Sequence, residues 1–107
     1  MTAPLISVRL LAGFELLVDD RGVPVPPGSQ RLLAYLALHN GPVTRNTLAA
    51  ALWPDTPDRR AAACLRSSLW RLVKPPHALV EAGQGLLRIA TTVHVDVVSV
   101  HRYAAEL

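Results

Sequence analysis

The apolar positions of this chain change period twice, from about 2 to about 3.6 and back. Residues 1–28 read as β structure: Ile6 to Leu11 is one β-rich run and Phe14 to Val18 another, with Ala12-Gly13 between them. Asp19-Asp20-Arg21-Gly22 forms a turn cluster, and Val23-Pro24-Val25 is a short third strand whose proline suits a sheet edge. Pro26-Pro27-Gly28 breaks the pattern. Ser29 is then a plausible N-cap for a first helix from Gln30 to His39, with Leu32, Leu33 and Leu36 on its apolar face, Tyr35 as a further candidate for it, and Asn40-Gly41-Pro42 at its end. Thr44 caps a second helix, Arg45 to Leu52, with Leu48, Ala51 and Leu52 turned inward. Trp53-Pro54-Asp55 stops it, and Thr56-Pro57 supplies a cap and a proline at the first position of a third helix. Pro75-Pro76 ends that helix.

Beyond residue 76 the alternation returns. Leu79-Val80-Glu81 and Leu86-Leu87-Arg88-Ile89 flank Ala82-Gly83-Gln84-Gly85, which is a hairpin pattern. Thr92 to Val97 alternates again, either extending the returning strand or forming a separate one, and Ser99 is a candidate cap for a short final helix. The expectation is an α+β domain: an N-terminal antiparallel sheet, three helices and a C-terminal β-hairpin. Helix two, a short loop and helix three make a helix-turn-helix candidate, and the hairpin is the expected wing. Residues 1–98 form the expected domain; residues 99–107 begin a linker or a truncated C-terminal helix.

Charge sharpens this picture. Residues 1–58 hold four arginines against five acids, and residues 75–107 hold two against three. Residues 59–74 hold five cations and no acid, so the whole formal excess of +3 lies in one predicted helix. With Leu65 at zero on a helical wheel, Ala61, Ala62, Ser68, Leu69 and Leu72 fall within about 60°. Arg66, Arg59, Trp70, Lys74, Arg60 and Arg71 fall between about 100° and 240°. Solvated charged faces usually mix acids with bases in i,i+4 pairs, and this one does not. The helix docks a narrow apolar stripe on a core and turns a cationic face toward a polyanion, as a helix entering the DNA major groove must. Candidate DNA contacts are Arg59, Arg60, Arg66, Ser67, Trp70, Arg71 and Lys74 on the helix and Arg88 on the hairpin; for Trp70 two roles stay open, packing on the wing or the sheet, which is favoured, and stacking against the DNA backbone. Gly83 and Gly85 let the hairpin tip approach a backbone closely.

Other chemistry finds little footing. The four histidines, His39, His77, His94 and His101, are scattered, and the single Cys64 fits neither a disulfide nor a zinc site. No phosphate-cradling glycine loop, metal centre, cofactor site or catalytic constellation is expected. No apolar run reaches the ~20 residues of a membrane span and no signal peptide is expected from the N-terminal residues, so a cytoplasmic, non-enzymatic protein is the expectation. Two partners fit the cationic face best: double-stranded DNA, or an acidic protein surface bound by a winged helix acting as an interaction module; a third, RNA, is weakened by the lack of exposed aromatics beyond Trp70.

Four segments carry a resemblance: Val8 to Leu16, Gln30 to Leu38, Leu48 to Asp55 with its Leu52-Trp53-Pro54-Asp55 run, and Leu65-Arg66-Ser67-Ser68-Leu69-Trp70-Arg71-Leu72. In that order and spacing the chain resembles the OmpR-type winged-helix DNA-binding domain at the N-terminus of the Streptomyces antibiotic regulatory proteins and their actinomycete relatives. The resemblance runs from about residue 5 to about residue 107. It implies a transcriptional activator of secondary metabolism that reads the major groove with its third helix, touches DNA with its wing, binds direct repeats as side-by-side protomers and recruits RNA polymerase. The polymerase contact implied lies in Pro54 to Asp58, with Asp55 and Asp58 as the candidate residues. The chain departs from the family pattern at Cys64, Trp70, Val73 and Leu87, where Asn, a small polar residue, a basic residue and an aromatic are usual.

Overall fold

The computed structural model describes residues 5–11, 13–39, 41–73 and 78–96, which form an α+β arrangement of three helices and two sheets. The first sheet begins with β1 (Ile6–Arg9) and β2 (Glu15–Val18), paired antiparallel with Arg9 opposite Glu15. β1 stops two residues short of the predicted Leu11. The reason lies far along the chain: the Asp96 carboxylate accepts from the Leu10 N–H at 3.0 Å and the Leu11 N–H at 3.2 Å, so neither serves the ladder. Only Asp19 and Asp20 form the next turn, with φ of 50° and 66°. Both central residues at positive φ match the twist of a two-residue hairpin. The third strand, β3 (Arg21–Gly22), therefore starts earlier than the predicted Val23–Val25. Val23 still donates to Leu16 O at 2.9 Å, and Pro24 has no N–H to continue.

The first helix, α1 (Pro27–Leu38), starts at a proline three residues before the expected Gln30. Pro27 needs no N–H in the first turn, and the Pro26 carbonyl accepts from Gln30 N at 2.9 Å. Ser29 is thus not the cap. It is buried in the first turn, and its hydroxyl donates to the Ser68 carbonyl across the domain at 3.0 Å. Leu32, Leu33, Leu36 and Ala37 form the buried face. A strand the sequence pattern does not reveal follows, β4 (Val43–Thr44). It leads directly into α2 (Arg45–Leu52), whose cap is Thr44 as expected: its hydroxyl oxygen accepts from Thr47 N at 3.2 Å. Leu48 is buried and Leu52 half-buried as predicted, but Ala51 faces solvent and Ala49 takes its inward place.

The third helix, α3 (Asp58–Val73), begins one residue later than predicted, with the Pro57 carbonyl accepting from Ala61 N at 2.9 Å. Asp58 sits in its first turn, where the helix dipole favours a carboxylate. Ala61, Leu65, Leu69 and Leu72 are buried, a stripe one residue wide, while Ala62 and Ser68 at its margins are half-buried. Lys74 and the predicted stop at Pro75-Pro76 lie outside the described residues.

The hairpin is β5 (Val80–Gly83) and β6 (Leu86–Ile89), closed by Gln84 and Gly85 with φ of 54° and 76°. Gly83 pairs with Leu86 inside the ladder, so the tip is Gln84-Gly85 alone. β4 adds to the other edge of β6, with Val43 opposite Leu87, giving a three-stranded sheet in the order β4-β6-β5. The last alternation becomes a separate strand, β7 (Val93–Val95), parallel to β1, and the first sheet has the order β3-β2-β1-β7. Val97 and the candidate final helix lie outside the described residues. One core joins both sheets and all three helices: Val8 and Leu16, Leu32 and Leu36, Leu48, Leu65 and Leu69, and Leu87 belong to a single buried cluster.

Candidate functional site

The buried stripe of α3 fixes the rotation of the helix, and this decides what its other side presents. Arg59, Arg60, Arg66, Ser67, Trp70 and Arg71 are all exposed. Among the described residues, no ion pair engages any of these four arginines. Arg66, Ser67, Trp70 and Arg71 come together around one shallow depression on the outer surface of the helix. Trp70, 59% exposed, is the largest apolar side chain on that face. Arg59 and Arg60 extend the charge to the first turn.

The depth of α3 is held from behind. The first turn of α1 contacts it at Ser68: Ser29 donates to the Ser68 carbonyl, and a Cβ built on Gly28 would lie 2.8 Å from Ser68 Oγ. α2 lies beside it, and an open cleft between the two is lined by Arg45 and Asn46 on α2, Trp53, Pro54 and Thr56 in the connection, and Asp58, Ala62 and Arg66 on α3. Arg45 and Asn46 are exposed residues that sequence reasoning missed. Their signal was available, because Thr44 capping places them in the first turn of the helix that leads into the turn. Trp53 is engaged within the domain, with the Arg31 guanidinium 5.5 Å from its ring centroid. Cys64 is a half-buried free thiol.

Arg88 behaves differently from the helix arginines. It stands opposite Glu81 in the β5–β6 register, and its Nε and Nη2 both lie 2.8 Å from Glu81 Oε2. The hairpin strands therefore carry no net charge. Asp55 and Asp58 are exposed, Asp55 in the α2–α3 connection and Asp58 at the start of α3. Lys74 lies outside the described residues. Among the described residues, no three His, Cys, Asp or Glu side chains cluster as metal ligands, and no helix is long and apolar enough to cross a membrane.

What the arrangement offers chemically is a set of exposed, planar guanidinium donors around one indole. Guanidinium groups bind phosphate oxygens, or guanine O6 and N7 in bidentate fashion. No protein-family model, curated protein or solved structure matches this chain.

Proposed function

We propose that this chain is a winged helix-turn-helix domain that binds double-stranded DNA in a sequence-specific manner, with α3 in the major groove. The observation that carries the reading is the outer face of α3: Arg59, Arg60, Arg66 and Arg71 exposed, without an acid after Asp58 and without an ion pair among the described residues. Two further features support it. α2 and α3 are consecutive helices packed beside each other, joined by a five-residue connection slightly longer than the usual helix-turn-helix turn of about 3–4 residues. β4, between α1 and α2, pairs with the β5–β6 hairpin, so the wing is built onto the helical unit. Phosphate contacts supply most of the affinity in this reading, and arginine bonded to guanine supplies part of the specificity.

The resemblance noted from the sequence extends the proposal to transcriptional activation in the manner of the Streptomyces antibiotic regulatory proteins, on direct repeats occupied side by side. Asp55 and Asp58, both exposed at the α2–α3 connection, are the proposed polymerase contacts. The test is a mobility-shift assay with a random duplex pool across a salt titration. Binding that weakens steeply with salt is the expected result. No retained duplex at low salt overturns the reading and turns the cationic face toward an acidic protein.

A further inference from the structure

We propose that Trp70 determines sequence specificity by covering the 5-methyl group of a thymine next to the guanine engaged by Arg66. The inference rests on the duplex-binding reading above and narrows it to one base-pair step. Trp70 stands about 140° around the helix from the centre of the buried stripe, between Arg66 at about 100° and Ser67 at about 200°. It is 59% exposed, and it shares one surface depression with Arg66, Ser67 and Arg71. The indole therefore occupies the middle of a face whose other large side chains are all cations.

The arginines account for phosphate oxygens and for guanine acceptors. An indole adds no charge, and its one N–H lies at the edge of a broad apolar surface. Across the base edges of the major groove, the apolar feature available to such a surface is the thymine methyl group. Arg66 and Trp70 are four residues apart on α3, so their Cβ atoms lie about 5–6 Å from each other on one side of the helix. That separation corresponds to between one and two base steps of about 3.4 Å. A guanidinium on guanine thus sets the indole over the neighbouring pyrimidine. Stacking of the indole on a base face requires an unpaired base, which a helix bedded in a closed groove does not meet.

The experiment uses the full chain and the duplex it selects from a random pool. Each thymine of that duplex is replaced singly by deoxyuridine, which removes only the methyl group, and affinity is measured by fluorescence anisotropy at two salt concentrations. For the wild-type chain, one thymine per site is expected to lose about fourfold in affinity on replacement, the value of a single methyl group withdrawn from water. Trp70→Ala and Trp70→Gln are expected to bind the thymine and deoxyuridine duplexes equally, with the wild-type salt slope, because neither removes a charge. Far-UV circular dichroism confirms the fold of both variants, and either one alone suffices for the comparison. A methyl dependence that persists in the folded variants overturns the proposal. So does a wild-type chain indifferent to every thymine, and so does a Trp70→Ala loss that is larger on the single strand than on the duplex. In each of these cases DNA binding itself stands. A chain that retains no duplex at low salt overturns the DNA reading and this inference together.

Discussion

Removal of the Arg66 and Arg71 guanidinium groups from α3 gives the most direct measure of what its outer face does. Arg59, Arg60, Arg66 and Arg71 are exposed there. With one phosphate for each, log Kobs falls against log salt with a slope of about −3.6, and a rise from about 50 to about 200 mM weakens binding about 150-fold. Arg66→Ala and Arg71→Ala each take about 0.9 from that slope if the side chain meets a phosphate, and the loss is then the same on every sequence. A side chain bonded to guanine behaves otherwise. Its removal costs about 1–3 kcal/mol, roughly 5- to 150-fold, on the selected site only, and leaves the slope nearly intact. Nonspecific and selected duplexes measured in parallel across salt thus assign each arginine to phosphate or base. The fold is expected to survive: both side chains are exposed and engage no ion pair among the described residues, so each change stays within about 0.5 kcal/mol. Arg71 lies in the last turn of α3, where loss of its interaction with the helix dipole adds about 0.3–1 kcal/mol at most. Thermal melts followed by circular dichroism check this. Wild-type affinity and wild-type slope in both variants refute the argument from exposed charge.

Three other outcomes are expected. Ser29→Ala removes the buried bond from α1 to the Ser68 carbonyl and costs about 1 kcal/mol, lowering Tm by about 4–8 °C; an unchanged melt would show that this contact does not hold α1 against α3. Gly28→Ala brings a Cβ to 2.8 Å from Ser68 Oγ, so it is better tolerated in a Ser68→Ala background, with a coupling of at least about 0.5 kcal/mol in a double-mutant cycle of urea melts; additive costs contradict the close approach. Glu81→Gln frees Arg88 at a stability cost of about 0–1 kcal/mol, because the pair is exposed. It steepens the salt slope of DNA binding by up to about 0.9, and an unchanged slope places the hairpin away from the duplex.

The elements with a full period and a clear cap were legible in the sequence. α2 runs from Arg45 to Leu52 as its Thr44 cap and its Trp53-Pro54 stop indicate. The α3 stripe was legible because Leu65, Leu69 and Leu72 recur at helical spacing while arginines occupy the opposite face. What was missed depends on partners distant in the chain. β4 has two residues and no period, and exists because Leu86 and Leu87 offer it a free edge. β1 ends at Arg9 because Asp96, 86 residues from Leu10, takes the next N–H groups. Ser29 has the residue type of a cap but meets Ser68 in space, so proline starts the helix instead.

The candidate site divides along the same line. In the sequence, Arg88 on the hairpin and Arg66 on α3 are equivalent cations, and Arg45 attracts no notice. Pairing across the hairpin then places Glu81 opposite Arg88 and cancels its charge, whereas the α2–α3 packing puts Arg45 and Arg66 on the rim of one cleft. Charge counted by segment finds the cationic helix but not the shape of the patch. The patch consists of α3 and the first turn of α2, with a neutral hairpin beside it. In the proposed DNA-binding reading the two helices meet the polyanion first, and the hairpin gains a cation only when Glu81 yields Arg88 to a phosphate.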